Sequence, residues 1–385
     1  MKVAQIAKEL NIITNEVLGK EIIVQEDLSN IVDLGTEILN MDAVENYTRA
    51  LVDHIGRMVF VDRIYGSRAP SVQMDSWEYG SILEKIDAEM PEAEENQSWE
   101  LNEGQQYECH IFYGPKVSAK FFNSKTTFEV RMSFAELQVK SAFSDAGQMT
   151  RFFSMIYSKI ENSLTVKMDS LTMRVINNFA GEIVADEFAG ETDYSGKTST
   201  RAVNLLYEYN TAMGTALTAE KAMTDLGFLK FASATIAQYI DDISVMSTLY
   251  NAEGAARFTP RDKLKVVFNT RYVRAADVYL QSDTYHNEYT RIPEADIVPF
   301  WQGSGTGRSF TDATTINIKT ASGHNVKITG VIGIIFDRDA LGIANEYRRV
   351  TSEYTPSAEF YTNWYKMDVS YFNDTSENGV LFYVA

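Results

Sequence analysis

The sequence predicts an α+β fold, because helical and extended patterns occupy separate stretches of the chain. Apolar residues recur every three or four positions from residue 145 to about 188, which indicates a long amphipathic helix. They recur at every second position from 128 to 134, which indicates a half-buried strand, and residues 346–385 are again strand-like. With 385 residues, 45% of them hydrophobic, the chain has enough apolar material for a large core.

The first segment, residues 1–65, is predicted to be an arm and not a domain. It has the pattern of short amphipathic helices and extended links, and no domain-sized core is evident in it. The clearest helical spacing joins Val44, Tyr47, Leu51, Ile55 and Met58. We therefore expect the arm to pack on something else. The opening residues mix Lys and Glu with apolar residues, so no signal peptide is expected.

A long β-hairpin is predicted within residues 66–131, because the run YGSILEKIDAEM can pair with YECHIFYGPKVSAKFF. The connection Asp87–Gly104 carries seven acidic residues and no Lys or Arg. One interpretation is a solvated, mobile hairpin tip. The other is a docking arm whose acids meet Arg or Lys on a neighbouring chain.

The half-buried strand and the long helix follow the hairpin. The strand carries Phe128, Val130, Met132 and Phe134 on one face.

The apolar positions of the long helix are Met149, Phe152, Ile156, Ile160, Leu164, Met168, Leu171, Val175, Phe179 and Ile183. Ser144 or Asp145 is suited to cap its start, and Gly190 lies near its end. At 1.5 Å per residue it would be roughly 60 Å long. No heptad with charged flanks is sustained, so a structural spine is favoured over a coiled coil.

Helices and strands alternate from residue 200 to 345. The run TAEKAMTDLGFLKFASATIAQYIDDISVMSTLYN is helix-rich, DKLKVVFNT is a short strand ending at Asn269, and RYVRAADVYL is a helix. The run TTINIKTASGHNVKITGVIGIIF is interpreted as two strands joined at Ser322 and Gly323. The tail supplies the strands EFYTNWYKMDVSYF and GVLFYV around the turn NDTSENG.

Charge and composition exclude several classes of function. The formal net charge is −18 and the pI is about 4.7, which disfavours duplex binding and attraction to anionic membranes. The longest apolar run is far too short to cross a bilayer. Cys109 is the single cysteine, so neither an intrachain disulfide nor a cysteine zinc site is possible. No cofactor is expected.

The sequence offers little evidence for an enzyme. The loop Gly303–Ser309 is rich in glycine but lacks the Gly-Lys-Ser/Thr ending of a phosphate-binding loop. The four histidines lie far apart and lack the spacing of metal ligands. Cys109 and His110 would point to opposite faces of a strand, which makes them a poor catalytic pair. We therefore expect a binding or structural protein.

Asp337 and Asp339 form the best candidate carboxylate pair, directly after the apolar run GVIGIIF. As a calcium loop the pattern fails, because Leu341 would occupy position five and Arg348 position twelve. Arg338 lies between the two acids, so a structural turn is favoured over a metal site. Whether the acids pair with Arg338 and Arg348 or with a neighbouring chain is left open. The alternative is a metal-dependent hydrolase that uses Asp337 and Asp339.

The order of elements resembles the major capsid protein of tailed double-stranded-DNA bacteriophages, a fold shared by herpesvirus shells and encapsulins. LVDHIGRMVFVDRI is similar to the family's segment before its extended loop, and DAGQMTRFFSMIYSKIENSLTVKMDSLTMRVINNFAG is similar to its spine helix. GVIGIIFDRDALGI resembles the strand and charged turn between the family's two domains. YTPSAEFYTNWYKMDVSYFNDTSENGVLFYV resembles its closing strands. The resemblance covers nearly the whole chain.

The resemblance implies a subunit of defined parts. These are an N-terminal arm (1–65), an extended β-hairpin loop (66–131), a peripheral domain with the spine helix (132–194 and 346–385) and an axial domain (195–345). The residues expected at contacts between subunits are Trp77, Tyr79, Trp99, Phe121, Phe122, Asp337, Arg338 and Asp339.

The implied function is that of a non-enzymatic shell protein. Its subunits would form hexamers and pentamers that close into an icosahedral or elongated head around double-stranded DNA. The implied partners are copies of the chain, a scaffolding protein and a portal, with no membrane and no sequence-specific DNA binding. The implied location is the virion capsid, assembled in the host cytoplasm. An encapsulin-like protein container is the related alternative.

Overall fold

The computed structural model describes residues 68–74, 83–91, 114–135, 146–189, 193–283, 295–302 and 309–385, with a few isolated positions outside these ranges. The predicted arm, residues 1–65, lies outside the described residues apart from Asn11. The predicted cap residues Ser144, Asp145 and Gly190 lie outside them as well.

The long predicted helix is confirmed as α1 (Ala146–Glu187), which has 42 residues. This corresponds to about 63 Å at the usual rise. The predicted apolar positions whose side chains are described are all buried, and these are Ile160, Leu164, Met168, Leu171, Val175, Phe179 and Ile183. The apolar stripe is therefore buried along the part of the helix whose side chains are described.

Shorter helices follow in the second half of the chain. They are α2 (Leu205–Met213), α3 (Ala219–Ala222), α4 (Leu226–Ile243), α5 (Thr270–Asp283) and α6 (Phe310–Thr314). Side chains cap several of their starts, since Asn204 accepts a hydrogen bond from Tyr207 N and Asp225 accepts one from Phe228 N. Across the parts of the chain that the structure describes, none of the helices combines the length and the apolar character that crossing a membrane requires.

The strands of the described residues belong to two larger sheets and two separate hairpins. They are β1 (Gln73–Met74), β2 (Leu83–Ala88), β3 (Val117–Phe122), β4 (Lys125–Ala135), β5 (Ala202–Asn204), β6 (Leu264–Asn269), β7 (Asp296–Val298), β8 (Ile316–Lys319), β9 (Asn325–Ile328), β10 (Val331–Asp337), β11 (Leu341–Thr355), β12 (Phe360–Asn373) and β13 (Gly379–Tyr383). Together with the helices they confirm the predicted α+β class.

The five-stranded sheet has the order β5-β13-β10-β6-β7 and is centred on β10. β10 is antiparallel to both of its neighbours, whereas the outer pairs β13–β5 and β6–β7 are parallel. All seven residues of β10 are buried. Residues of α2, α4 and α5 form one hydrophobic core with this sheet. Such burial of a central strand explains why its sequence is a continuous apolar run.

The four-stranded sheet has the order β1-β11-β12-β4. β12 and β4 are antiparallel, with Phe360 opposite Ala135 and Ser370 opposite Lys125. On β4, Phe128, Val130 and Met132 are half-buried while the residues between them are exposed. The predicted alternating strand is therefore confirmed at these positions.

One strand assignment was wrong. The run from Thr314 to Phe336 contains three strands and not two, because β9 ends at Ile328 and β10 begins at Val331 in a different sheet. Gly330 separates them with φ 74°, in the left-handed region that favours glycine. A Cβ there would lie 1.9 Å from the Val384 carbonyl oxygen, so the position has room only for glycine. The extended conformation is therefore interrupted between β9 and β10, where the backbone passes Val384.

The described residues divide into two compact units. One takes residues 125–172 and 344–370, with β4 and most of β11 and β12. The other takes residues 68–124, 173–343 and 371–385, with the five-stranded sheet, the shorter helices and both hairpins. The hydrophobic core around β10 belongs to this second unit.

Candidate functional site

The charged turn after β10 is closed by its own side chains. Asp337 is 6% exposed. Its Oδ1 accepts a hydrogen bond from Asp339 N at 2.8 Å, and its Oδ2 accepts one from Thr259 Oγ1 at 2.7 Å. Ala340 N donates to the Asp337 carbonyl oxygen at 2.9 Å. The Asp337 carboxylate therefore acts as a turn acceptor, a common role for aspartate.

The arginines considered as partners of the two acids are engaged differently. Asp339 Oδ2 lies 3.2 Å from Lys263 Nζ. Arg338 is exposed, and its backbone N–H donates to the Lys263 carbonyl oxygen at 2.9 Å. Arg348 lies 3.6 Å from a carboxylate oxygen of Glu161. The ion-pair partner of the turn in the described structure is thus Lys263, which directly precedes β6, the strand that pairs with β10.

The geometry around Asp337 and Asp339 gives no support to a metal centre. Both oxygens of the Asp337 carboxylate already accept hydrogen bonds, and the Asp339 carboxylate contacts the ammonium group of Lys263. Within the described ranges there is no group of three or more His, Cys, Asp or Glu residues that could hold a metal ion. The pair therefore serves the architecture of the turn.

The hairpin formed by β2 and β3 has two chemically distinct faces. The strands are antiparallel, with Leu83 opposite Phe122 and Ala88 opposite Val117, which confirms the predicted pairing. Because side chains alternate across a strand, every second pair shares a face. One face, here called the outer face, carries Ile86, Val117 and Phe121, which are 68%, 58% and 65% exposed.

The opposite face, here called the root face, is charged and lies against the rest of its unit. Lys85 is directly opposite Lys120. Lys85 Nζ lies 2.7 Å from Asp374 Oδ2, 2.8 Å from Glu377 Oε1 and 2.8 Å from the Asp339 carbonyl oxygen. All three donors of the ammonium group are therefore satisfied by the turn between β12 and β13 and the turn after β10.

Two further cations complete this network. Lys120 pairs with Glu253 and lies 3.5 Å from Asp374 Oδ1. Arg257 joins the hairpin to the same turn, because it contacts the Asp87 carboxylate and lies 3.0 Å from Glu377 Oε2. The Phe122 ring packs on Phe372 with a centroid distance of 5.5 Å. The root face is thus held by ion pairs and one aromatic contact.

The pKa shifts in this network follow from its contacts. Burial alone would lower the pKa of Lys85, but hydrogen bonds to Asp374 and Glu377 outweigh it, so this pKa is raised. Burial would raise the pKa of Asp374, yet hydrogen bonds from Lys85 and Ser376 hold it below its usual value. Both groups are therefore charged at neutral pH.

The structure separates the residues that were predicted for contacts between subunits. Phe121 lies on the outer face and Phe122 on the root face, while Asp337 is buried in its turn. Arg338 is exposed and Asp339 is half-exposed beside Lys263. The other three, Trp77, Tyr79 and Trp99, lie outside the described residues.

Sequence reasoning missed Lys85, Lys120 and Asp374. The signal for the two lysines was present, since pairing LEKIDA with VSAKFF in the correct register places them opposite each other. Nothing in the sequence identified the turn at Asp374 as their partner, because it lies 289 residues from Lys85.

A hairpin with an exposed apolar face, on a unit whose carboxylates make structural bonds, is typical of a protein that assembles with other chains. The chain belongs to the family of Phi29-like phage major capsid proteins, whose model matches residues 10–383. It is therefore a structural, shell-forming component of the phage head that associates with itself into capsomers. The family match supports neither an encapsulin-like container nor a metal-dependent hydrolase, and the predicted resemblance is confirmed.

Solved phage capsids are similar to the chain over most of its length. The capsid protein of Staphylococcus phage Andhra is 11% identical, with 84% of this chain and 86% of that chain covered and a TM-score of 0.48. The mature capsid of bacteriophage PhiM1 is 9% identical, with 84% of this chain and 89% of that chain covered and a TM-score of 0.46. The capsid of cyanophage P-SCSP1u is 12% identical, with 82% of this chain and 86% of that chain covered and a TM-score of 0.45. No significant match was found among curated protein sequences.

Proposed function

We propose that the chain forms hexamers and pentamers that close into an icosahedral or elongated head around double-stranded DNA. Membership of the capsid protein family supports this proposal. The net charge of −18 supports a container that does not grip its DNA, because tight binding requires clustered cations that displace counterions. The chain performs this role without catalysis.

The outer face of the hairpin is the observation that carries the proposal. Ile86, Val117 and Phe121 are all more than half exposed on one side of a two-stranded ribbon. An isolated two-stranded hairpin is marginally stable in water. The buried cores of interfaces are more apolar than the rest of a protein surface and are enriched in aromatic residues. A second copy of the chain is the partner that a self-assembling shell supplies to every subunit. The outer face therefore lies on the neighbouring subunit in the assembled shell.

The remaining parts of the subunit take the roles that the capsid family implies. The arm (1–65) and the hairpin loop (66–131) reach neighbours, and the axial domain (195–345) lies at the centre of the capsomer. The peripheral domain (132–194 and 346–385) surrounds the spine helix α1. Among the predicted contact residues, the aromatic ones at 77, 79, 99 and 121 are the strongest candidates for contacts between subunits, and Arg338 and Asp339 add exposed charge.

The partners of assembly are proposed in the same way. A scaffolding protein and a portal take part in building the head in the host cytoplasm, and the DNA is enclosed without sequence-specific contacts. The acidic connection Asp87–Gly104 supports electrostatic contact with cations of a neighbouring chain.

Sedimentation and electron microscopy of the purified full-length chain, with and without scaffold, test the proposal. We expect capsomers or closed particles, and nuclease-protected DNA inside native heads. Phe121→Ser should shift the material to small species, because it removes the largest apolar group of the outer face. Val166→Ser on α1, a site that is also 62% exposed and lies outside the arm, the hairpin and the axial domain, is the matched control and should leave particles intact. Only small species under every condition, scaffold included, would contradict the proposal.

A further inference from the structure

The paired residues 83–88 and 117–122 form the base of the hairpin, here called the root, and they include two like charges that face each other. Lys85 and Lys120 are directly opposite each other on neighbouring strands and on the same face. Like charges in this position destabilise a strand pair. The two strands also lack pairing with either larger sheet over the described residues, because β2 and β3 form a two-stranded sheet of their own. Pairing of β2 with β3 therefore depends on contacts with the rest of the unit, and these contacts must also neutralise the two lysines.

The turn between β12 and β13 supplies the neutralising charge in a preorganised form. Asp374 is 4% exposed, and its Oδ1 accepts hydrogen bonds from Ser376 N at 3.1 Å and from Ser376 Oγ at 2.6 Å. Its backbone N–H donates to the Ala340 carbonyl oxygen at 2.6 Å. The carboxylate is thus fixed by its own turn and lies within reach of both lysines. Because the turn already holds the Asp374 carboxylate in place, the ion pairs with Lys85 and Lys120 require no further loss of conformational entropy from Asp374.

The network also fixes the direction of the hairpin. Contacts to the turn come from both strands, through Lys85 on β2 and Lys120 on β3, and Arg257 links Asp87 of β2 to Glu377 of the turn. Contacts at two strands and at successive positions along β2 restrict both tilt and rotation of the ribbon. The restriction decides where the outer face points.

We propose that this ionic network is a latch that couples strand pairing at the root to docking on the Asp374 turn, with Lys85 as its main positioning residue. This inference rests on the proposed function, because the latch presents the outer face to a neighbouring subunit. When the latch is closed, the root is paired and the hairpin has one direction. When it is open, the root is no longer held on the Asp374 turn, the two-stranded ribbon loses the support that keeps its strands paired, and the hairpin loses that direction.

Hydrogen exchange of the backbone amides in β2 and β3 tests the latch on the unassembled full-length chain. Lys85→Met keeps the length of the side chain and removes its charge. We expect exchange in residues 117–122 to accelerate about tenfold or more, the scale expected when a part-buried, hydrogen-bonded charge pair loses one partner. Lys85→Arg keeps the charge and should restore protection to within about threefold of the parent. Exchange in the buried strand β10 should not change.

Lys116→Met is the matched control on the same hairpin. Lys116 lies 3.1 Å from Glu89, but both side chains are largely exposed, at 79% and 69%. The same loss of charge there should leave exchange at the root unchanged, because exposed ion pairs contribute little. Equal acceleration in both variants would show that net charge matters and not the latch, and so would overturn the inference.

Particle formation by the same variants separates the latch from the proposed function. If the latch is correct, Lys85→Met should give fewer or irregular particles and Lys85→Arg regular ones. Normal exchange in residues 117–122 of Lys85→Met overturns the latch even if the parent chain forms heads. Failure of the parent chain to assemble overturns the proposed function, while the exchange result continues to report on the latch.

Discussion

The central strand β10 and the hairpin β2–β3 are both extended chain, but they are stabilised by opposite means. β10 has a partner strand on each side and buries all seven residues. The hairpin has no third strand among the described residues, exposes apolar side chains on one face and uses charges on the other. Its stability therefore depends on a few ion pairs and, in the proposed assembly, on a neighbouring subunit. One chain thus combines a self-sufficient core with an element that depends on contacts outside its own strand pair.

Replacing one phenylalanine in each region should give the largest difference in stability between β10 and the hairpin. Phe336 of β10 is 1% exposed and packs edge-on to Phe179. Phe336→Ala should lower the free energy of unfolding by about 3–5 kcal/mol, because it leaves a cavity. Phe121→Ala on the outer face should change it by about 0.5 kcal/mol or less. Urea unfolding of the unassembled chain measures both values, and a comparable loss in the two variants would contradict the distinction.

The turn after β10 allows a second test between two acids that are two residues apart. Asp337→Ala removes the acceptor of two hydrogen bonds, from Thr259 and from the backbone of Asp339, and should lower stability by about 2–3 kcal/mol. Asp339→Ala removes only an exposed ion pair with Lys263 and should cost about 0.5 kcal/mol or less. The same unfolding experiment ranks them. Equal losses would show that the turn does not depend on the buried carboxylate.

The sequence was sufficient where one pattern extended over many residues. The periodicity of α1 and the apolar run of β10 were legible because burial constrains successive positions in the same way. The interruption at Gly330 was missed, because a glycine inside a strand pattern can mark a bulge, a bend or a close approach of another backbone segment. Here it is a close approach, to the Val384 carbonyl oxygen, which the sequence does not reveal. The partner of Lys85 was missed for a similar reason. It is set by tertiary structure over 289 residues and leaves no periodic trace.

The ion pair between Lys85 and Asp374 also makes the stability of the hairpin depend on pH. The folded-state pKa of Asp374 is lowered from its ordinary value of 3.8, while that of Lys85 is raised from 10.5. An acid with a lowered pKa contributes stability above its unfolded pKa and loses it as the pH falls through the folded value. A lysine with a raised pKa contributes below 10.5 and loses its contribution as the pH rises through the folded value. The latch should therefore be fully effective between about pH 4 and pH 10.

Urea unfolding of the parent and of Asp374→Asn across pH measures this contribution. The two stability curves should be separated by a constant amount at neutral pH. They should begin to converge below about pH 4 and meet as the pH falls through the lowered folded-state pKa of Asp374, where the parent carboxylate becomes protonated. Lys85 and Lys120 face this carboxylate from the hairpin, and Glu377 shares Lys85 with it. Because Glu377 also titrates in acid, the Asn variant is the reference that isolates Asp374. If the two unfolding free energies still differed by the same amount at pH 2, the loss of stability in Asp374→Asn would come from the geometry of the turn. The charge of Asp374 would then not stabilise the hairpin root.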